Sequence, residues 1–302
     1  MLTGIKETRQ DKIFLALNYL YVTIAFLVVA YPLVYMISAS ISNPKAVASG
    51  AMWLFPKDIT FEGYQRVFQD TRIWSGYANT ILYTVVGTTV NLMVTIPAAY
   101  ALSRRDFVGR NFFMGMFMVT MFFGGGLVPT YLLIKELGMI NSMWALILPS
   151  AASVWNIIVS RTFFQGTIPG ELHEAAQIDG CSNLKLFFKI ILPLSMPIIA
   201  VMALFYGVGH WNSYFSAMIY FNDSDKYPLQ LVLRQILVLQ EMSAQGSGMM
   251  DSTSATALNN KAEVAALVRY AVIIVSTLPV IIIYPFLQRY FVQGVMIGSV
   301  KG

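Results

Sequence analysis

The chain has 302 residues, 57% of them hydrophobic and 12% charged, with mean hydropathy +0.63; an ordinary soluble domain carries about 25% charge, so that class is excluded. The net charge of +5 and pI near 9.2 do not indicate nucleic acid, because there is no basic run with interleaved aromatics and the charges collect at the ends of apolar stretches. The single cysteine excludes an internal disulfide.

Lys6, Arg9 and Lys12 lead into an apolar run from Ile13 to Ile37. Ser38-Ala39-Ser40 resembles a signal-peptide cleavage site, but a signal h-region is only about 7–15 residues long. This run is about 25 residues, enough to cross a hydrocarbon core that needs about 20, so a retained span is predicted. After a loop from Ser38 to Arg72 containing Pro44, Gly50, Trp53 and Pro56, further spans are predicted at 74–102, 112–133, 141–163, 193–220 and 268–288. Charge or Gly/Pro punctuation bounds each of them. Gly124-Gly125-Gly126, inside the third, reads as a point of close helix packing or a kink. The expected fold class is an all-α membrane protein of about six transmembrane helices, with one membrane domain over 13–292.

Orientation follows from the short loops. Arg104, Arg105 and Arg110 follow the second span and Lys185 and Lys189 follow the fourth; with Lys6, Arg9 and Lys12 they fall on one side. The positive-inside rule makes that side cytoplasmic. Acids such as Asp58, Glu62, Asp223 and Asp225 balance the bases on the other side. The N-terminal 1–12 and the tail 293–302 are therefore expected in the cytoplasm, and 221–267 forms a long external loop.

A polar island from Pro169 to Pro197 interrupts the apolar runs. Its first half, Glu171 to Asp179, reads as a short helix with Glu171 and Glu174 near the positive end of its dipole. Gly180 ends that helix. A second helix follows, with Leu184, Phe187, Phe188 and Ile191 at i, i+3, i+4 and i+7, which predicts one apolar face. A helix–glycine–helix elbow between two spans offers a docking surface rather than a substrate cavity.

Glu174-Ala175-Ala176, Gly180 three residues on, and Ile190, Leu192 and Pro193 after nine more make the pattern EAA-x3-G-x9-I-x-LP. This resembles the coupling loop, here 167–192, of permease subunits of ATP-binding-cassette importers of the type I fold. Ile168-Pro169 and Ile178-Asp179-Gly180 resemble the carbohydrate branch, the shorter permease of maltose-type importers. The run Gly124 to Thr130 and the ending Gln293 to Gly302 are similar to permeases that take complex oligosaccharides from a lipoprotein binding protein. Cys181 departs from the pattern, since an alanine is usual there.

The resemblance implies a bacterial plasma-membrane subunit with several partners: a second homologous permease, two ATPase subunits, an external substrate-binding lipoprotein and an oligosaccharide. ATP and Mg would be bound by the ATPase subunits, and this chain would carry no cofactor. Glu174, Ala175, Ala176, Asp179 and Gly180 would meet the ATPase, with Glu174 entering a cleft and the small residues allowing close approach. The tail from Gln293 would add a second contact, and the 221–267 loop would reach the binding protein. A permease of the same class for a non-sugar solute, or a self-sufficient carrier or channel, is the alternative.

Chemistry within this chain is not indicated. There is no GxxxxGK[ST] loop, and His173-Glu174 only begins an HExxH pattern, with Gln177 at the second histidine position. His173, His210 and Cys181 do not make a metal set. No Asp or Glu falls inside a predicted span, which argues against an ion-driven carrier. The spans do contain amide and aromatic polarity. Asn79, Tyr83, Trp155, Asn156, Trp211 and Asn212 are candidates for an uncharged sugar path, against the ordinary alternative of interhelical hydrogen bonding and interfacial anchoring.

Overall fold

The computed structural model describes residues 8–245, 268–283 and 285, and the described residues are helical with no strand. The chain divides into two compact units, 1–70 with 236–276 and 71–235 with 277–302.

In the first unit, α1 (Arg9–Ser40) starts in a capping box. The Thr8 amide donates to Asp11 Oδ2 at 2.8 Å and the Asp11 amide to Thr8 Oγ1 at 3.2 Å. The helix is apolar all round, and only its last three residues are buried. A helix with that composition and no protein cover matches a lipid-facing span. Ser38-Ala39-Ser40, the cleavage-like triplet, is helical and buried. Ser38 Oγ donates to the Leu54 carbonyl at 2.6 Å and Ser42 Oγ to the Ser38 carbonyl at 2.6 Å. The first of these ties the foot of α1 to the loop before α3 (Glu62–Gln69), Ser40 Oγ lies 2.8 Å from Tyr64 Oη of α3, and Ala39 packs with Ala46 of α2 (Pro44–Ala48) and Met52 in a small core.

The second unit is organised on α4 (Thr71–Ser103). Its buried face runs through Gly76, Thr80, Tyr83, Gly87, Asn91, Thr95 and Ala99, while Ile81, Leu82, Val85 and Met93 are exposed. This inverts the soluble pattern: with lipid outside, large apolar residues face out and small or hydrogen-bonding residues bring helices together. Then come α5 (Arg110–Phe122), α6 (Leu127–Glu136), α7 (Trp144–Ile147) with a 3₁₀ turn to Ser150, and α8 (Val154–Thr167). The elbow comprises α9 (Gly170–Ile178) and α10 (Asn183–Leu186), which passes through a π turn, Phe187–Ile191, into α11 (Leu192–Leu194). After it come α12 (Met196–Trp211), α13 (Phe215–Tyr220) and a 3₁₀ turn, Ser224–Lys226. The helices α14 (Leu229–Gln245) and α15 (Val268–Ile283) each belong partly to both units.

Among the described residues, only α1 and α4 are long, unbroken and apolar enough to cross a membrane alone. The predicted span 112–133 is two helices, α5 and α6, bent by 111°. The break falls at the triple glycine, where Gly126 has φ +85°, so this glycine cluster is a kink. Span 141–163 bends by 50° between Ser150 and Val154, and span 193–220 bends by 77° at Ser195 and ends its helix at Trp211. Each bent pair taken as one crossing makes five; two shorter apolar helices remain, Leu229–Val238 within α14 and α15, the latter at the predicted sixth span. Hydropathy sums along the chain and does not register a kink, which explains the corrected boundaries.

Candidate functional site

The elbow at 169–197 is built on one end of α4. Its first arm, α9, closes in a Schellman motif. The Gly180 amide donates to the Gln177 carbonyl at 3.0 Å and the Cys181 amide to the Ala176 carbonyl at 2.8 Å, with Gly180 at φ +67°. Gly180 is thus required by backbone conformation: no atom lies within 4 Å of a built Cβ, but an L side chain is strained at that φ. The second arm starts at Ser182, whose hydroxyl caps the Lys185 amide.

The predicted apolar stripe of the second arm is half corrected. Phe187 and Ile191 are buried as expected, together with Leu186, but Leu184 and Phe188 are exposed. The cause is the π turn at Phe187–Ile191. Pro193 lacks an N–H and its ring crowds the carbonyl four residues back, so one bond of the α ladder is lost there and the wider turn accommodates the ring. One extra residue in the turn shifts the register of everything before it. The Ser195 hydroxyl, fully buried, donates to the Ile191 carbonyl at 2.6 Å beyond the proline.

Both arms pack on a core that includes Ile96, Ala99, Tyr100, Phe164, Ala176, Leu186, Phe187 and Ile191. The Tyr100 ring lies edge-on to Phe164 at 5.7 Å and 5.1 Å from the Phe187 ring centre. Its hydroxyl is 3.1 Å from His173 Nε2. Just past α4, Arg104 Nη1 donates to Asn183 Oδ1 at 2.8 Å, while its Nε and Nη2 grip the Asp106 carboxylate. That bidentate guanidinium holds the Asp106 carboxyl below its usual range.

Of the residues expected to meet a partner, Glu174, Ala175, Asp179 and Gly180 are exposed on the outside of the elbow, whereas Ala176 is buried in the core beneath it. Ile178 is 86% exposed, a large apolar side chain among them that the motif contains but that is not counted with the partner-contact residues. Tyr100, His173, Arg104 and Asn183 were also not singled out for holding the elbow. No periodicity links positions so far apart in sequence, so only folding brings them together.

The polar residues of the spans do not form one constellation. Asn79 Nδ2 donates to the carbonyls of Asp225 (2.7 Å) and Tyr227 (3.1 Å), and Tyr83 Oη to the Lys226 carbonyl at 2.9 Å, so both hold the 224–228 turn. Asn212 Nδ2 donates to the Val208 carbonyl at 3.0 Å, closing its own helix. Asn156 is buried near the start of α8, and its neighbour Trp155 is 57% exposed. Trp211 lines a cavity of about 340 Å³ with Thr84, Thr88, Leu204, Val208 and Ile283, and its walls are largely apolar. A buried network that the sequence did not reveal joins α4, the break between α7 and α8, and α12. Asn91 Nδ2 donates to the Ser150 and Ala151 carbonyls, so Asn91 Oδ1 accepts from His210 Nε2 at 2.6 Å. Thr95 and Tyr206 share a hydroxyl bond of 2.6 Å. Among the described residues, no charged side chain is buried: the buried polar groups are those of Ser, Thr and Asn, with the polar ends of Tyr and Trp.

Comparison with known proteins places this architecture. Residues 72–297 match the profile of the binding-protein-dependent transport system inner membrane component family. Protein LplC of Bacillus subtilis (strain 168) is 40% identical over 98% of this chain and 97% of its own length. The polygalacturonan/rhamnogalacturonan transport system permease protein YtcP of the same organism is 39% identical over 97% of this chain and all of its own. Among solved structures, a chain of a bacterial ABC transporter involved in the import of the acidic polysaccharide alginate superposes with TM-score 0.82 at 35% identity, over 96% of this chain and 100% of that one. A family match over most of the chain, on an all-helical fold of broken and unbroken spans, leaves one conclusion: the chain belongs to the binding-protein-dependent transport system inner membrane components, as a permease subunit of an ABC importer and not an enzyme.

Proposed function

We propose that this permease passes an oligosaccharide, taken from an external binding lipoprotein, into the cytoplasm, and that its elbow is the part gripped by an ATPase subunit. The observation that carries the reading is the geometry of the elbow. A Schellman-closed helix presents Glu174, Ala175 and Asp179 outward, with Ala176 anchoring it from behind. Glu174 pairs with a base in the ATPase cleft, and Ala175 and Gly180 admit close approach. Two ATPase subunits hold the ATP and Mg, and a second, homologous permease completes the pore. Both chain ends and the elbow face the cytoplasm in this reading, in keeping with Arg104, Arg105, Lys185 and Lys189 on that side. The tail 293–302, which lies outside the described residues, adds a second ATPase contact. The loop 221–267 meets the binding protein, anchored where Asn79 and Tyr83 hold its first turn.

Two proteins similar to this chain are named for acidic glycans, so uronate-containing oligosaccharides are the first substrates to offer, with neutral ones as the contrast. Trp155, Asn156 and Trp211 are assigned to the path, where exposed Trp155 offers a ring face for stacking, whereas Asn79, Tyr83 and Asn212 are committed to the structural hydrogen bonds described above.

The test is the complete importer reconstituted in vesicles with its binding protein. Glu174→Lys is expected to leave assembly intact and to abolish substrate-stimulated ATP hydrolysis. Stimulation equal to wild type rejects the reading. In a Cys181→Ala background, Ile178→Cys is expected to react with an impermeant thiol reagent only after cells are opened.

A further inference from the structure

The two arms of the elbow meet at a four-residue turn, 179–182, that is almost wholly exposed. By itself such a joint leaves the arms free to splay, and a force on one would be lost in the turn. Both arms are, however, bonded to the same end of α4. Tyr100, in its last turn, meets His173 of α9 at 3.1 Å. Arg104, one helical turn further on, donates to Asn183 at the head of α10 at 2.8 Å. Neither residue is free to drift. The Tyr100 ring is wedged against Phe164 and Phe187, and the Arg104 guanidinium is oriented by the Asp106 carboxylate.

The rest of α4 suits a transmitting rod. It has 33 residues, about 50 Å at 1.5 Å per residue. Although Pro97 lies in its interior, it runs as one helix and is the unbroken long span among the described residues of its unit, whereas α5–α6, α7–α8 and α10–α12 bend by 111°, 50° and 77°. A bent pair absorbs a displacement at its kink, and a continuous helix passes it on. At its far end α4 holds the 225–227 carbonyls through Asn79 and Tyr83, and Thr80 Oγ1 accepts from the Leu229 amide at 2.7 Å, where α14 begins.

We infer that Tyr100 and Arg104 are positioning residues that clip both arms of the elbow to α4, so that elbow and helix move as one body and displacement at the elbow reaches the 225–229 segment. The inference rests on the reading of the elbow as the ATPase contact. A merely structural role for the two residues predicts lost assembly or lost stability. The clip predicts lost coupling in a complex that still assembles.

The experiment uses the full importer in vesicles, with assembly scored by co-purification. Tyr100→Phe keeps the ring packing and removes the hydroxyl; Asn183→Ala removes an exposed acceptor; Asn183→Asp keeps an acceptor for Arg104. Spin labels at Cys181 and at Met93→Cys report the elbow against α4. In the wild type a single narrow distance distribution, unmoved by ATP, is expected. In Tyr100→Phe/Asn183→Ala the distribution broadens with ATP, and solute moved per ATP falls by about threefold or more. Asn183→Asp stays at the wild-type ratio. A double variant with wild-type distances and ratio overturns the clip. Glu174→Lys in the same assay separates the two ideas. If it uncouples while the double variant does not, only the clip fails; if neither uncouples, the ATPase contact at the elbow fails too.

Discussion

The His210 ring occupies the space that a side chain on Gly87 would fill: a Cβ built on Gly87 would come within 2.5 Å of His210 Nε2. Glycine at this point of α4 lets α12 approach closely enough for His210 to reach Asn91, and through Asn91 the carbonyls of Ser150 and Ala151. One missing methyl group thus holds three spans together.

Gly87→Ala is expected to cost about 1–3 kcal/mol, the range for overpacking a tight contact, because the imidazole must leave Asn91 to make room. Denaturation of the purified permease in detergent measures it. Adding His210→Ala to the same chain should return part of the loss, since it removes the clashing ring.

The buried Thr95–Tyr206 hydroxyl pair offers a cleaner energetic measurement. Tyr206→Phe strands the Thr95 hydroxyl and removes the acceptor of the Ser153 amide, at a cost of about 1–3 kcal/mol for the stranded hydroxyl. The double change with Thr95→Val should cost less than the two singles summed. A coupling energy of about 0.5–1.7 kcal/mol is expected from the behaviour of such pairs in membranes. Strict additivity would mean the bond contributes nothing.

At the elbow, Gly180→Ala should weaken the α9 terminus by about 1–2 kcal/mol through its left-handed backbone, and Gly180→Asn by less, since asparagine tolerates that conformation better. Local hydrogen exchange at the Gly180 and Cys181 amides should rise in the same order. Equal protection in both variants would contradict the backbone argument.

Asp106 sets the pH dependence near the elbow. Its carboxyl is held low in the folded state, first of all by the hydrogen bonds from Arg104. A depressed acid contributes stability that is fully present above the unfolded value of about 3.9 and is lost as pH falls through the lower folded value. Wild type and Asp106→Asn should therefore differ by a constant amount from neutral pH down to about 4, and converge below it. The carboxylate is 60% exposed, so salt should shrink the difference.

Much of the elbow was legible in the chain itself. Gly180 announced the turn, Glu174 and Asp179 their exposed positions, and the apolar run after Ser182 a helix packed on the spans. The error lay at Leu184 and Phe188, where an α-helical count ran into a segment that forms a π turn just before Pro193. The spans were placed well as stretches and poorly as rods, because a Gly-Gly-Gly kink or a Ser-capped break barely changes an average of hydropathy. Asn79 and Tyr83 show the same limit from the other side. Their polarity was visible, but not that its partners are the carbonyls at 225–227, more than 140 positions away.

By itself, then, the order of residues settled what depends on near neighbours and on composition: immersion in lipid, the helical class, the polar elbow and the kinship that its motif signals. The fold decided what depends on distant neighbours: which face of each helix turns inward, where Gly87 admits His210, and that Tyr100 and Arg104 hold the two arms. In lipid the hydrophobic drive no longer tells inside from outside, so helix faces are sorted by close packing and hydrogen bonds. Those are properties of pairs of segments, and no single stretch of chain encodes them.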